Sequence, residues 1–149
     1  VALTPLVAWA APQGGCSITK VTYVVNSTTK TVNVIDVPNS DYLGASIPAN
    51  ATQVKVWGTF GPTNVNTTVQ GTIAEWDGSQ EVTGTKKDLT ITKVKDNAGV
   101  ETGAWYAPIT VTAGKVYMIK AKATKAPNSW VAKSLMLNVA NNNNNNNEE

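Results

Sequence analysis

From residue 18 onward, apolar and polar side chains alternate with a period of two, and turn chemistry interrupts them at intervals of about 8 to 12 residues. This pattern encodes strands with one buried face, and the abundance of Val and Thr suits a pleated, half-covered surface. A strand over 18–25 puts Val21, Tyr23 and Val25 on one face, and Asn26-Ser27-Thr28-Thr29 turns it into a second strand over 30–37. Residues 38–52, punctuated by Pro38, Gly44, Pro48 and Asn50, read as a long loop. Strands follow over 53–60, with Val54 and Val56 opposite Lys55 and Trp57, and over 67–76, with Val69, Gly71 and Ile73 opposite Thr68, Gln70 and Thr72. After the Asp77-Gly78 turn signal, a strand over 87–95 turns Leu89 and Ile91 inward and ends at Asp96-Asn97-Ala98-Gly99. The segments 105–112 and 115–123 read as a hairpin about Ala113-Gly114, and a last strand over 130–139 holds Leu135, Leu137 and Val139 in phase. Helical periodicity is nearly absent.

Seven or eight short strands joined by turns predict an all-β domain over 16–140. Its expected form is an antiparallel β-sandwich of immunoglobulin-like or jelly-roll topology.

The leading segment differs from the rest. Val1, Leu3, Pro5, Val7 and Trp9 share one side of an extended chain, while Ala2, Thr4, Ala8 and Ala10 keep the other side thin and Leu6 breaks the alternation. Ala11-Pro12-Gln13-Gly14-Gly15 forms a flexible joint behind this arm of residues 1–10. An exposed apolar strand templates aggregation, so the arm is expected to insert, as an N-terminal donor strand, into a core-lined groove between two edge strands of the neighbouring copy. Val1, Leu3, Pro5, Val7 and Trp9 are therefore the candidate subunit-interface residues. At the other end, residues 141–149 are seven Asn followed by Glu148-Glu149, with no apolar side chain to offset the entropy of ordering, and read as a mobile tail.

Composition narrows the function. The length of 149 residues suits one domain. All 12 basic residues are Lys, and the formal charge of +2 is spread along the chain. Without His there is neither a Ser-His-Asp nor a Cys-His pair, nor an imidazole for zinc, and without Arg the bidentate reader of phosphate is missing. No enzyme, no cofactor and no nucleic-acid partner are expected. No run approaches the roughly 20 apolar residues of a membrane span. Cys16, the single cysteine, excludes an intrachain disulfide and leaves an interchain one open. A first residue Val rather than Met fits either removal of a leader or a trimmed chain, and the former is expected of a secreted protein. Ala8-Trp9-Ala10 resembles the end of a signal peptide but lacks a basic start, so the arm is read as retained, and Gln13-Gly14-Gly15-Cys16 lacks the Leu of a lipoprotein cleavage box.

Three N-glycosylation sequons begin at Asn26, Asn50 and Asn66, each in a predicted turn or loop where a sugar would be exposed. Roughly one or two such triplets arise by chance in a chain so rich in Ser and Thr. Asp36, Asn39 and Asp41 lie close enough to suggest a calcium loop, but the EF-hand spacing is absent and they read as solvated. Glu75 and Asp77 flank Trp76 as a glycosidase pair would, yet strand alternation before an Asp-Gly turn accounts for them. Trp57, Trp76, Trp105 and Trp130 are candidates for stacking on sugar rings, with packing in or along the strands as the competing role.

The arm Val1 to Trp9, the Gly14-Gly15 joint and the Thr- and Val-rich β domain with sequons together resemble, in layout, donor-strand filament subunits: archaeal extracellular pili and threads, TasA-like biofilm fibres and chaperone-usher pilins. A lone Cys16 departs from the disulfide usual in the last group. The resemblance implies an extracellular structural subunit, self-associating head-to-tail into a cell-surface filament for adhesion or biofilm, without catalysis. A carbohydrate-binding or adhesin module and a viral capsid or tail protein are the alternative readings.

Overall fold

The computed structural model describes residues 14–142. The arm residues Val1, Leu3, Pro5, Val7 and Trp9, and the Asn run from residue 143, lie outside them.

Every regular element among the described residues is a strand: β1 (Gly15–Val25), β2 (Thr28–Asn33), β3 (Ile35–Asp36), β4 (Leu43–Ile47), β5 (Thr52–Gly61), β6 (Thr68–Glu75), β7 (Lys87–Asp88), β8 (Thr92–Lys95), β9 (Glu101–Pro108), β10 (Val116–Lys125), β11 (Asn128–Val131) and β12 (Leu135–Val139). They form a five-stranded sheet in the order β2-β1-β5-β9-β8 and a seven-stranded sheet in the order β3-β4-β12-β10-β6-β7, with β11 also paired to β10. The two sheets pack together through one core. Alternation in β5 directs Val54, Val56 and Phe60 inward, where they meet Val21 and Trp105 from the same sheet and Ile119, Leu135 and Leu137 from the other.

Several sequence expectations are corrected by this arrangement. Residues 38–52 are not a continuous loop, because β4 lies within them. Its Leu43, Ala45 and Ile47 face the core, and Pro38 and Pro48 flank the strand without interrupting its pairing. β4 runs parallel to β12, in a register that extends from Leu43↔Leu135 to Ile47↔Val139, so the pairing is antiparallel-rich and not purely antiparallel. The segments 105–112 and 115–123 do not form a hairpin: β9 pairs with β5 and β8, whereas β10 belongs to the other sheet. A turn signal dictates that the chain reverses, but not that the flanking strands bond each other. Here the reversal spans the two layers and is pinned from both sides. Gly114 N–H reaches the carbonyls of Val139 and Ala140 at 3.1 and 3.0 Å, and Thr112 N–H donates to the Tyr117 hydroxyl at 2.8 Å.

The segments 30–37 and 87–95, each read as one strand, both change sheet midway. β2 passes into β3 through Val34, whose N–H donates to the Thr19 carbonyl at 3.1 Å, and β7 passes into β8 through residues 89–91. Each end of one sheet therefore continues into an end of the other, a corner made by bending one extended segment. The strand expected over 130–139 is also divided, into β11 and β12.

One apolar cluster sits apart from this core. Met118 and Ala74 are buried, yet they pair with each other across β10 and β6 on the face turned away from the other sheet. Trp76, two residues beyond Ala74 and so on the same face, meets the ring of Tyr42 edge-on at 6.0 Å.

Candidate strand-docking edge and surface sites

Among the described residues, five strands have a neighbour on one side only: β2, β3, β7, β8 and β11. Four of them carry charge, as Lys30, Asp36, Lys87 with Asp88, and Lys93 with Lys95, the side chains that protect an exposed edge from adding another strand. Asn128-Ser129-Trp130-Val131 in β11 has none. Since β6 occupies one side of β10, β11 lies on the side that β12 also uses, but β4 covers only β12. Beyond β11 no described strand follows.

The ladder shows which backbone groups face that edge. Ala132 N–H donates to the Ala121 carbonyl at 3.0 Å, and bonded pairs alternate in an antiparallel ladder, so Trp130 and Asn128 bond toward β10. Ser129 and Val131 then direct their N–H and C=O outward. The Val131 side chain is 75% exposed, at the rim of two shallow depressions, one lined by Val69, Gly71, Leu89 and Lys122 and the other by Asn39, Tyr42 and Ser134. Gly14 packs against the indole of Trp130, where a Cβ would overlap the ring. The joint thus meets the domain beside β11, and glycine is required there by this close approach.

The glycosylation candidates fall on exposed turns. Asn26 and Ser27 form the two-residue β1–β2 turn, both with positive φ (52° and 64°), as an I′ hairpin demands. Asn50 precedes β5, and Asn66 donates its backbone N–H to Asn64 Oδ1 at 2.7 Å in the loop before β6. Of the acidic candidates, Asp36 pairs with Lys133 at 2.9 Å and Glu75 with Lys115 at 3.0 Å. Asp77 accepts the backbone N–H groups of Ser79 and Gln80, which hold its carboxyl below the usual range and make it a turn cap. Among the described residues no group of three His, Cys, Asp or Glu is placed to hold a metal, and no helix is long and apolar enough to cross a membrane.

The four tryptophans among the described residues separate by environment. Trp105 is wholly buried, Trp130 is half-buried against the core and Gly14, and Trp76 meets Tyr42. Trp57 lies on the outer face of the five-stranded sheet beside Tyr106, with ring centroids 4.9 Å apart and planes tilted by 34°. The sequence pattern puts Lys55 on the face of Trp57 but singles out neither Tyr106 nor Lys20. The available signal is that they occupy the polar phase of strands whose other phase is core.

Cys16 points inward, opposite Phe60, and burial pushes its thiol up to about 11. At neutral pH the folded thiol is expected to react with iodoacetamide at least about tenfold more slowly than the urea-unfolded chain, because the thiolate is the nucleophile. Equal rates would refute its burial. The folded state holds this proton more tightly than the unfolded one, so the associated stability is complete below pH 9 and declines as the pH rises toward 11.

No protein-family model and no curated protein matches this chain. The class that its own residues define is an all-β protein of two packed sheets, with one uncharged open edge among the described strands.

Proposed function

We propose that this protein is the structural subunit of an extracellular filament that grows head-to-tail, the arm of one copy adding as a strand to β11 of the next. The observation that carries this reading is the edge itself. Among the described residues, Ser129 and Val131 present backbone groups without a strand partner beside an exposed apolar side chain, on a strand without a protecting charge. An arm whose apolar side chains recur at alternate positions is the complementary partner. Donor and acceptor are different surfaces, so the contact propagates unless it closes into a ring. Because each seam between the sheets is crossed by a chain segment, the acceptor is an edge of one sheet and not a gap between the two. Secretion, glycans at Asn26, Asn50 and Asn66, and a role in adhesion or biofilm belong to the same proposal.

The test is the size distribution of the full chain, of a chain lacking residues 1–10, and of Val131→Lys, by light scattering and negative-stain microscopy. Polymers from the full chain alone are expected. A monomeric full chain, or polymers that persist in both variants, would overturn the proposal.

A further inference from the structure

The outer face of the five-stranded sheet is built as two rows that cross its strands. The register places Asn33, Lys20, Trp57, Tyr106 and Thr92 side by side from β2 to β8, and next to them Thr31, Thr22, Lys55 and Pro108. Trp57 and Tyr106 at the centre make one tilted aromatic slab. Its geometry is set from the side, since Trp57 Nε1–H donates to Thr22 Oγ1 at 2.8 Å. Lys20 and Lys55 hold their ammonium groups 5.2 Å from the centroids of Trp57 and Tyr106 respectively.

The charge on this face is one-sided. Across all five strands the only carboxylate is Glu101, and Lys93 engages it at 3.0 Å. Neither Lys20 nor Lys55 has a carboxylate partner among the described residues, so the ring quadrupoles alone hold them. A face with this composition selects for a ligand with flat C–H surfaces, many hydroxyls and scattered negative charge.

We propose that this face binds an acidic polysaccharide, a chain of uronate sugars. Sugar rings stack on Trp57 and Tyr106, and Lys20 and Lys55 turn from the ring faces to meet sugar carboxylates in charge-assisted hydrogen bonds. The Thr22, Thr31 and Thr92 hydroxyls border the slab and exchange hydrogen bonds with sugar hydroxyls. Neighbouring strands are about 4.8 Å apart, close to the repeat of an extended hexose chain, so a polysaccharide laid across the strands meets successive side chains in register. Single-stranded nucleic acid also combines stacking with negative charge, but it demands a continuous basic track. Two lysines and no arginine do not supply one.

The experiment is affinity electrophoresis of the full chain through gels containing polygalacturonate, with dextran as the uncharged comparison and oligothymidylate as competitor. Retardation by polygalacturonate but not dextran is expected, weakening with salt. Lys20→Gln with Lys55→Gln, and separately Trp57→Ala, are expected to raise the apparent Kd by about tenfold or more. The double lysine change leaves the aromatic slab and the core untouched, so it tests the site even if Trp57→Ala fails to fold. No retardation, retardation unchanged in the lysine variant, or displacement by an equal concentration of oligothymidylate would each overturn the assignment. None of these substitutions touches β11, so the full chain and its variants are compared in the same state of assembly.

Discussion

Trp105→Ala is expected to lower the unfolding free energy by about 3–5 kcal/mol, the range for truncating a buried aromatic side chain, seen as a lower urea midpoint at unchanged slope. The indole is fully excluded from solvent at the centre of the core, and its Nε1–H donates to the Thr59 carbonyl at 3.1 Å. Directly across the ladder stands Gly58, where a Cβ would run into both the Ser17 carbonyl and the Trp105 ring. The large residue and the missing side chain are therefore complementary. Gly58→Ala alone is expected to cost about 1–3 kcal/mol or more by overpacking. Combined with Trp105→Ala, it should cost less than the sum, because removing the ring relieves one of its two clashes while the backbone clash with Ser17 remains. A loss below about 1 kcal/mol for Trp105→Ala would show that the ring does not anchor the sheets.

Lys93→Ala is expected to cost a similar amount, about 3–5 kcal/mol, for an electrostatic reason. Lys93 stands on β8 opposite Trp105, and so turns toward the interior. Its ammonium donates to Glu101 Oε2 at 3.0 Å and to the Thr67 carbonyl at 2.6 Å, and lies 5.5 Å from the centre of the Phe60 ring. The Glu101 side chain is only 9% exposed, and its Oε1 has no partner among the described residues. Removing the lysine leaves a buried carboxylate without a counter-charge and releases the loop of residues 61–67. Replacing both partners with apolar residues, Lys93→Met with Glu101→Leu, should restore most of the stability, because no charge then remains to be solvated. Urea denaturation of the single and double variants checks this. Equal loss in both would show that the lysine acts through its hydrogen bond to the Thr67 carbonyl and not by neutralising Glu101.

What could be read from the chain depended on how local the deciding interactions were. Val54-Lys55-Val56-Trp57 shows its burial in its own alternation, and β5 follows it residue by residue. Leu43-Gly44-Ala45-Ser46-Ile47 has the same alternation, but small residues and nearby prolines mask it, and only the partner strand β12 reveals a strand there. The open edge at β11 left almost no local mark. Asn128 to Val131 became distinctive only because every other edge strand bears a charge.

The amino-acid sequence by itself determined an all-β protein, the inward and outward phase of its main strands, the exposed turns at Asn26, Asn50 and Asn66, and the lack of the histidine and arginine chemistry on which many enzymes depend. These properties follow from period, composition and turn propensity, which act over a few residues. Only the tertiary structure decided which strands are neighbours, that two extended segments change sheet, that Trp57 and Tyr106 share a face, and that β11 has no second neighbour among the described strands. Such features, the open side of β11 among the described residues included, arise from pairing between residues far apart in the chain, where many registers satisfy the same alternation and the packing of the whole core selects one.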